Sequence, residues 1–498
     1  MRYLVVILAC LCYGCNSSVL QVDPSDRYSA STFWRSEENF KAGLAGVYNA
    51  LTAENRVLLS ELDMLTPNAF DYGVWDINSI ATGRANSNTA DFQRWWSWGY
   101  RGVGRANTLL AALESQGGIL DEDDQRAFKG EALFLRSFFY SVLVDLYGDV
   151  PLIVDAPDMA AQGKLTRTAK DEIAAFILND LDEAATLLPE KEIQRGRVTK
   201  GAALALKSRV LLYGSRWEEA AAAAKHVIDL NQYQLFPDYR GLYLPQNEGN
   251  VEVIFDVQFL RPHVMHSGDH YIYTWGRPAP LKNLVDDYLM RDGKPREESS
   301  LYDLDRPYEN RDPRLLQSIV VSGYPFNGMM QQAGTNPVQH TGFGQKKLTS
   351  YPDDVEVFIP LGESDLNIIV IRYAEVLLNY AEALNELHES PNAEIYWAMN
   401  LIRKRPSVDM PDIEMGMSKL EMRETIRHER RIELALENLY YSDIRRWRIA
   451  EIVNNGPIYN ANGDVIENRQ FNPDRDYLWP VPQREIDLNP NLTQNPNW

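Results

Sequence analysis

Residues 131–146 read EALFLRSFFYSVLVDL, and Gly148 and Pro151 follow directly. Apolar side chains occur all round the helical circumference of this segment, so it expects burial on several sides rather than along one stripe. Glycine and then proline end such a helix. The neighbouring sequence repeats the helical period. Residues 168–188 carry Ile173, Ile177, Leu181 and Leu188 at helical spacing, and Thr168 with Asp171 resembles a capping box. Residues 200–213 and 217–230 form a helical hairpin across Gly214-Ser215. Small residues there (Ala202, Ala203, Ala205 and Ala220 to Ala224) alternate with large ones, as in interlocking tetratricopeptide-like pairs. A second pair is expected over 371–388 and 391–404. The spacing between pairs is irregular. The predicted fold class is therefore mostly α: a tetratricopeptide-like scaffold of helical hairpins.

Between about residues 231 and 360 the pattern changes. Gly, Pro, Asp and Tyr dominate, with short β-like runs such as residues 253–257. A long, helix-poor insertion between helical units is where function usually resides.

The whole chain has 498 residues, 45% hydrophobic and 11% aromatic, enough for a large core. Its 50 basic and 70 acidic residues leave a formal charge of -20, which makes nucleic acid a poor partner. The three cysteines are Cys10, Cys12 and Cys15. A body beyond them can hold no disulfide framework and no cysteine nucleophile. The N-terminus reads as an address. Arg2 supplies a positive charge, residues 3–13 are an apolar run too short to span a membrane, and Gly14-Cys15 leads into polar Asn16, Ser17 and Ser18. This is the architecture of a lipoprotein signal, with Cys15 the acylated new terminus. Cys12 stands three residues before it, where leucine is usual, and Cys10 and an ordinary secretory signal are the alternatives. The expected organisation is a signal peptide over 1–14, a lipid-anchored tether over 15–32, and one body over 33–498.

Several segments, taken in order, resemble the SusD/RagB family over nearly the whole length after the signal. They are GEALFLRSFFYSVLVDLYGDVPLI (130–153), LNDLDEAATLLP (178–189), DDYLMRDGKP (286–295), NRDPRL (310–315), IRYAEVLLNYAEALNEL (371–387), RHERRIELALENLYYSDIRRW (427–447) and YLWPVPQREIDLNPNLTQNPNW (477–498). The resemblance implies a helical scaffold with an irregular ligand face. It also implies a lipoprotein on the cell outer membrane, facing outward, that captures a nutrient. The ligand class is oligosaccharide, or in a minority of relatives peptide. The implied partner is a TonB-dependent, SusC-like barrel, over which such a protein sits as a lid. Residues 16–22 contain none of the acids that often accompany surface export in this family.

Catalytic constellations do not stand out. Acid pairs such as Asp286/Asp287 and Glu297/Glu298 arise by chance among 70 carboxylates. His428-Glu429 begins like a zinc-protease motif, but Ile432 stands where the second histidine belongs. His263, His266 and His270 have only Asp269 as a close acid and read as a surface loop. Neither catalysis, cofactor nor metal is expected; a surface glycan hydrolase and a protein-binding scaffold are the alternatives. The arginines from Arg423 to Arg448 interleave with Glu421, Glu424, Glu429, Glu433, Glu437 and Asp443, as in a helix pair braced by ion pairs.

Aromatics in loops are the better lead, because sugar rings stack their C–H faces on Trp and Tyr while short polar groups take the hydroxyls. Two loops qualify. NAFDYGVWDIN (68–78) offers Asn68, Asp71, Tyr72 and Trp75. DHYIYTWGR (269–277) offers Tyr271, Tyr273 and Trp275, which share one side if the segment is extended. Trp95, Trp96 and Trp98 read as core. Arg372, Tyr373 and Glu375 read as a braced polar cluster, with Arg372 a secondary candidate at the border of the site.

Overall fold

A computed structural model describes residues 33–52, 60–73 and 76–498. The signal peptide, the tether with Cys15, and Trp75 lie outside the described residues.

The scaffold is a row of helices, each packed on the next. We label the helices that carry it α1 (Glu37–Thr52), α2 (Ala90–Gln116), α3 (Glu122–Tyr147), α4 (Lys170–Leu187), α5 (Lys200–Tyr213) and α6 (Trp217–Asp229). The row continues, after the insertion, through α8 (Tyr373–Leu387) to α9 (Ala393–Arg403) and α10 (Lys419–Glu433), both of which pack on α8. The insertion supplies the short helix α7 (Gly268–Tyr273), and α11 (Tyr440–Arg446) follows α10. The opening stretch of the sequence lies at the centre of α3, which packs against both α2 and α4. Phe134, Leu135, Phe139 and Tyr140 are fully buried, as an all-round apolar helix requires. Trp95, Trp96 and Trp98 of α2 are at most 4% exposed and form edge contacts with Trp479, Tyr147, Phe138 and Phe139. They are core. One apolar cluster runs from Trp34 to Leu492, so the ends of the described chain share a core. Among the described residues no helix is long and apolar enough to cross a membrane.

Several boundaries differ from expectation for identifiable reasons. α3 begins nine residues earlier than the apolar run, where the Asp121 side chain accepts the Asp124 N–H. Thr168 and Asp171 do not cap α4. Thr168 is drawn into a β-bridge with Val150, and the Asp149 carboxylate accepts the Lys170 N–H instead. Ile371 and Arg372 do not open α8. They end β8 (Ile368–Arg372), which pairs antiparallel with β2 (Val253–Val257), so the insertion is stitched to the scaffold just where α8 starts.

The insertion holds other short strands: β3 (Ala279–Pro280), β4 (Ile319–Val321), β5 (Pro325–Phe326), β6 (Met329–Met330) and β7 (Phe343–Gln345). β4 pairs with β7 and β5 with β6. β1 (Ala69–Phe70) comes from the N-terminal part of the chain and pairs with β3.

Candidate functional site

The β1–β3 pairing brings together the two aromatic loops found in the sequence. Ala69 faces Pro280 and Phe70 faces Ala279 in antiparallel register, and the Leu281 N–H donates to the Asn68 carbonyl at 3.0 Å. Just beyond the strands, one residue after β1 and two before β3, Arg277 donates to Asp71 through Nε at 3.0 Å and Nη2 at 3.1 Å. Both side chains are buried, so this two-toothed ion pair locks the loops where solvent screens it little.

Outside that lock lies an aromatic surface. Tyr72 is 37% exposed, and its ring stacks on His340 with centroids 3.4 Å apart and planes 13° apart. His340 Nε2 lies 3.0 Å from the Trp275 carbonyl, to which it donates. The Trp275 ring stacks on Tyr271 at 4.6 Å and 23°, and meets the edge of His270. Tyr72, His340, Trp275 and Tyr271 all keep part of their surface exposed. Gly276 makes the turn possible. Its φ of +58° is left-handed, and a Cβ there would stand 2.8 Å from the Pro337 carbonyl oxygen.

The helix that carries Tyr271 is anchored by its own polar residues. The Asp269 carboxylate accepts from Ser350 N (2.7 Å), Ser350 Oγ (2.8 Å) and Ser364 Oγ (2.6 Å). His266 Nδ1 accepts the Gly268 N–H at 2.9 Å, which leaves Nε2–H to donate to the Leu366 carbonyl at 2.9 Å. Both ring nitrogens are thereby used within the fold.

The structure corrects several residue-level expectations. The segment 269–277 is not extended, because α7 turns through it. Residues two apart on a helix point to opposite sides, while residues four apart share a face. Tyr271 and Trp275 therefore meet, and Tyr273 turns away into a small core with Tyr351 (4.7 Å) and Phe326 (6.0 Å). Asn68 is fully buried. Its Nδ2 donates to Asp63 at 3.0 Å and its Oδ1 accepts from Arg431 at 2.9 Å. Asp71 is spent on Arg277 and on the Gly73 N–H. These two hold the loop up from behind instead of facing a ligand.

Arg372 does not border the site either. It is 1% exposed and lies among Glu252 (2.8 Å), Glu433 (2.7 Å) and Glu437 (2.8 Å). Arg405 joins Glu252 and Glu433, Arg314 joins Glu429 and Glu433, and Lys347 joins Glu437. Burial alone would raise the Glu433 carboxyl, but Arg405, Arg372 and Arg314 outweigh it and hold it well below the carboxylate range. Arg372 is thus braced, but not within the expected trio, since Glu375 pairs with Arg209; the cluster fastens the β8–α8 junction to α10. The ion-paired arginines of α10 and α11 are part of the same arrangement: Arg430 pairs with Asp443, and Arg446 with Glu382 and Asp443.

His340 was not visible from the sequence. It sits in a third segment, NPVQHTG (336–342), which carries no pattern tying it to Tyr72. A separate crevice of about 170 Å³ opens inside the scaffold beside Trp95, Trp98, Phe138 and Tyr213. Its wall is mainly apolar; of the five charged residues that line it (Asp145, Lys170, Asp171, Arg209 and Glu437), Arg209 is committed to Glu375, Glu437 to Arg372 and Lys347, and Asp145 to Ser442 and Arg445.

Residues 237–498 match the profile of the SusD family, and residues 20–212 match a profile described as "Starch-binding associating with outer membrane". A SusD-like protein of Formosa agariphila is 25% identical over 98% of both chains. A SusD-like carbohydrate-binding protein of Bacteroides fragilis has a solved structure that superposes with a TM-score of 0.85. It is 27% identical and covers 93% of this chain and 100% of its own. A second SusD-like structure from the same organism gives a TM-score of 0.81 at 28% identity, covering 96% of this chain and 100% of its own.

Proposed function

Because the chain belongs to the SusD family, we propose that it is a non-catalytic, surface glycan-binding lipoprotein that captures an oligosaccharide on the Tyr72–Trp275 face. The observation that carries this reading is the convergence of three separate segments on one aromatic surface. Two buried devices, the β1–β3 pairing and the Asp71–Arg277 pair, hold that surface in place. Aromatic faces fixed in advance suit a sugar ring, because little conformational freedom is left to lose on binding. Trp75, which precedes Asp76 in the sequence, is proposed as a further stacking residue. The carbohydrate-binding relative from Bacteroides fragilis supports the ligand class.

In this reading Cys15 carries the lipid, residues 15–32 tether the body to the outer membrane, and the partner is a TonB-dependent, SusC-like barrel that receives the glycan. The test is electrophoresis of the purified body through native gels cast with a panel of polysaccharides, alongside chromatography of the same mixtures. Retardation by at least one glycan without release of shorter sugars is expected. Product release would make the protein a hydrolase, and migration unaffected by every glycan would remove the sugar reading.

A further inference from the structure

Toward the end of the insertion lies an apolar surface that no described residue covers. Phe358 is 81% exposed and Met330 61%, and Met329, Val355 and Leu361 are exposed with them. The two stretches that supply these side chains lie against each other. At the β5–β6 turn the Gly328 N–H donates to the Asp353 carbonyl at 3.1 Å. The Asn327 side chain clasps the Val357 backbone, accepting its N–H at 2.6 Å and donating to its carbonyl at 3.1 Å. A Cβ added to Gly328 would stand 2.9 Å from the Val355 carbonyl carbon, so turn and segment touch backbone to backbone. Beneath them Phe326, Val357 and Ile359 join the small core that also takes Tyr273 and Tyr351. The surface is therefore held from behind, and on the order of 500 Å² of apolar area faces water, the size at which a patch on a single soluble chain is usually put to use.

Charge selects what covers it. Asp354 and Glu356 stand exposed among the apolar groups and form no ion pair among the described residues. The acids on either side are answered, Asp353 by Lys346 and Glu363 by Arg261. Arg240, the other cation behind the segment, is buried and faces Asp353, Asp269 and Asp238. A second copy docked about a two-fold axis would set this patch against itself and bring four uncompensated carboxylates together. An anionic lipid surface meets the same repulsion. The area is most of the roughly 800 Å² that each partner buries in a standard protein complex, with the acids left to form part of the rim.

We propose that this surface docks a different protein, one that presents an apolar patch carrying lysine or arginine. Phe358 and Met330 are the anchors, and Asp354 and Glu356 meet the partner's cations. The inference goes beyond the glycan site and does not depend on it. Tyr273 turns to the core beneath this surface while Tyr271 and Trp275 turn to the aromatic face, so the two surfaces rest on different sides of α7.

The test puts the photocrosslinker p-benzoylphenylalanine in place of Phe358 in the full chain, within the bacterium that makes it, and irradiates intact cells. A discrete adduct with a second kind of protein is expected, and none when the crosslinker replaces Met159, which is exposed on the scaffold. The adduct alone does not decide the matter. Asp354→Lys together with Glu356→Lys should lower its yield about tenfold or more by setting like charges together, and Met330→Ser about threefold or more by removing an anchor. The purified wild type should sediment as a monomer. These exposed substitutions should leave the melting curve unchanged. They should also leave glycan retardation in native gels unchanged, which separates failure of this surface from failure of the aromatic face. No adduct, an adduct of the chain with itself, an adduct only with lipid, or a yield that the lysine pair leaves unchanged would each overturn the proposal.

Discussion

Tyr271, Tyr273 and Trp275 look equivalent as letters in a loop, yet only the first and third share a face. What separates them is the backbone: in a helical turn the spacing of four unites and the spacing of two divides. Asn68 and Asp71 mislead in the same way. Their residue types suit sugar hydroxyls, but both are consumed by buried partners, Asp63 with Arg431 and Arg277. Composition can nominate a polar residue and cannot say on which side of a loop it points. Arg372 is the converse case: read first as part of a braced cluster and second as a border of the site, it lies among buried carboxylates. Because it answers buried carboxylates, its loss leaves them uncompensated. Arg372→Ala should therefore destabilise the fold by about 3–5 kcal/mol. Denaturant unfolding measures this. Near wild-type stability combined with lost glycan binding would return Arg372 to the site.

Among the elements, the scaffold helices were legible because their apolar periods are long and their breaks chemically plain, as in the hairpin over Gly214-Ser215. The short elements were not. α7 is six residues long, and its existence depends on Asp269 and His266 reaching partners about 80 to 100 residues away. Local propensity carries no trace of those bonds. They make α7 sensitive to acid. Burial lowers the His266 pKa from its ordinary 6.5, and a proton on Nδ1 would confront the Gly268 N–H. A histidine with a lowered folded-state pKa contributes its full stability above 6.5. That contribution falls as pH drops below 6.5, until the folded-state pKa has been passed. His340 beside Trp275 is lowered in the same direction, also first by burial. The melting temperature should accordingly decline below pH 6.5. The His266 ring signals in an NMR titration should move only at pH values under 6.5. A midpoint for His266 at or above 6.5 would contradict the assigned tautomer and its role in holding α7.

At the scale of the molecule, the scaffold presents an insertion that borrows a strand partner from the N-terminal part of the chain. The β1–β3 pair joins residues about 210 positions apart, which no local pattern reveals, although both loops were legible separately. In the proposed reading, the attachment of this body to a membrane rests on Cys15. Cys15→Ala should move the protein from the membrane fraction to the soluble fraction and abolish incorporation of labelled palmitate; a variant still wholly in the membrane would refute the anchor. The central claim is that one aromatic face, assembled from both loops, captures a glycan. Its most direct test is calorimetric titration of the retained oligosaccharide into the wild type, Tyr72→Ala and Trp275→Ala, each checked by thermal melting. Both variants should stay folded and lose about tenfold or more in affinity, the 1–2 kcal/mol of a removed stacking ring. Unchanged affinity in two folded variants would contradict it.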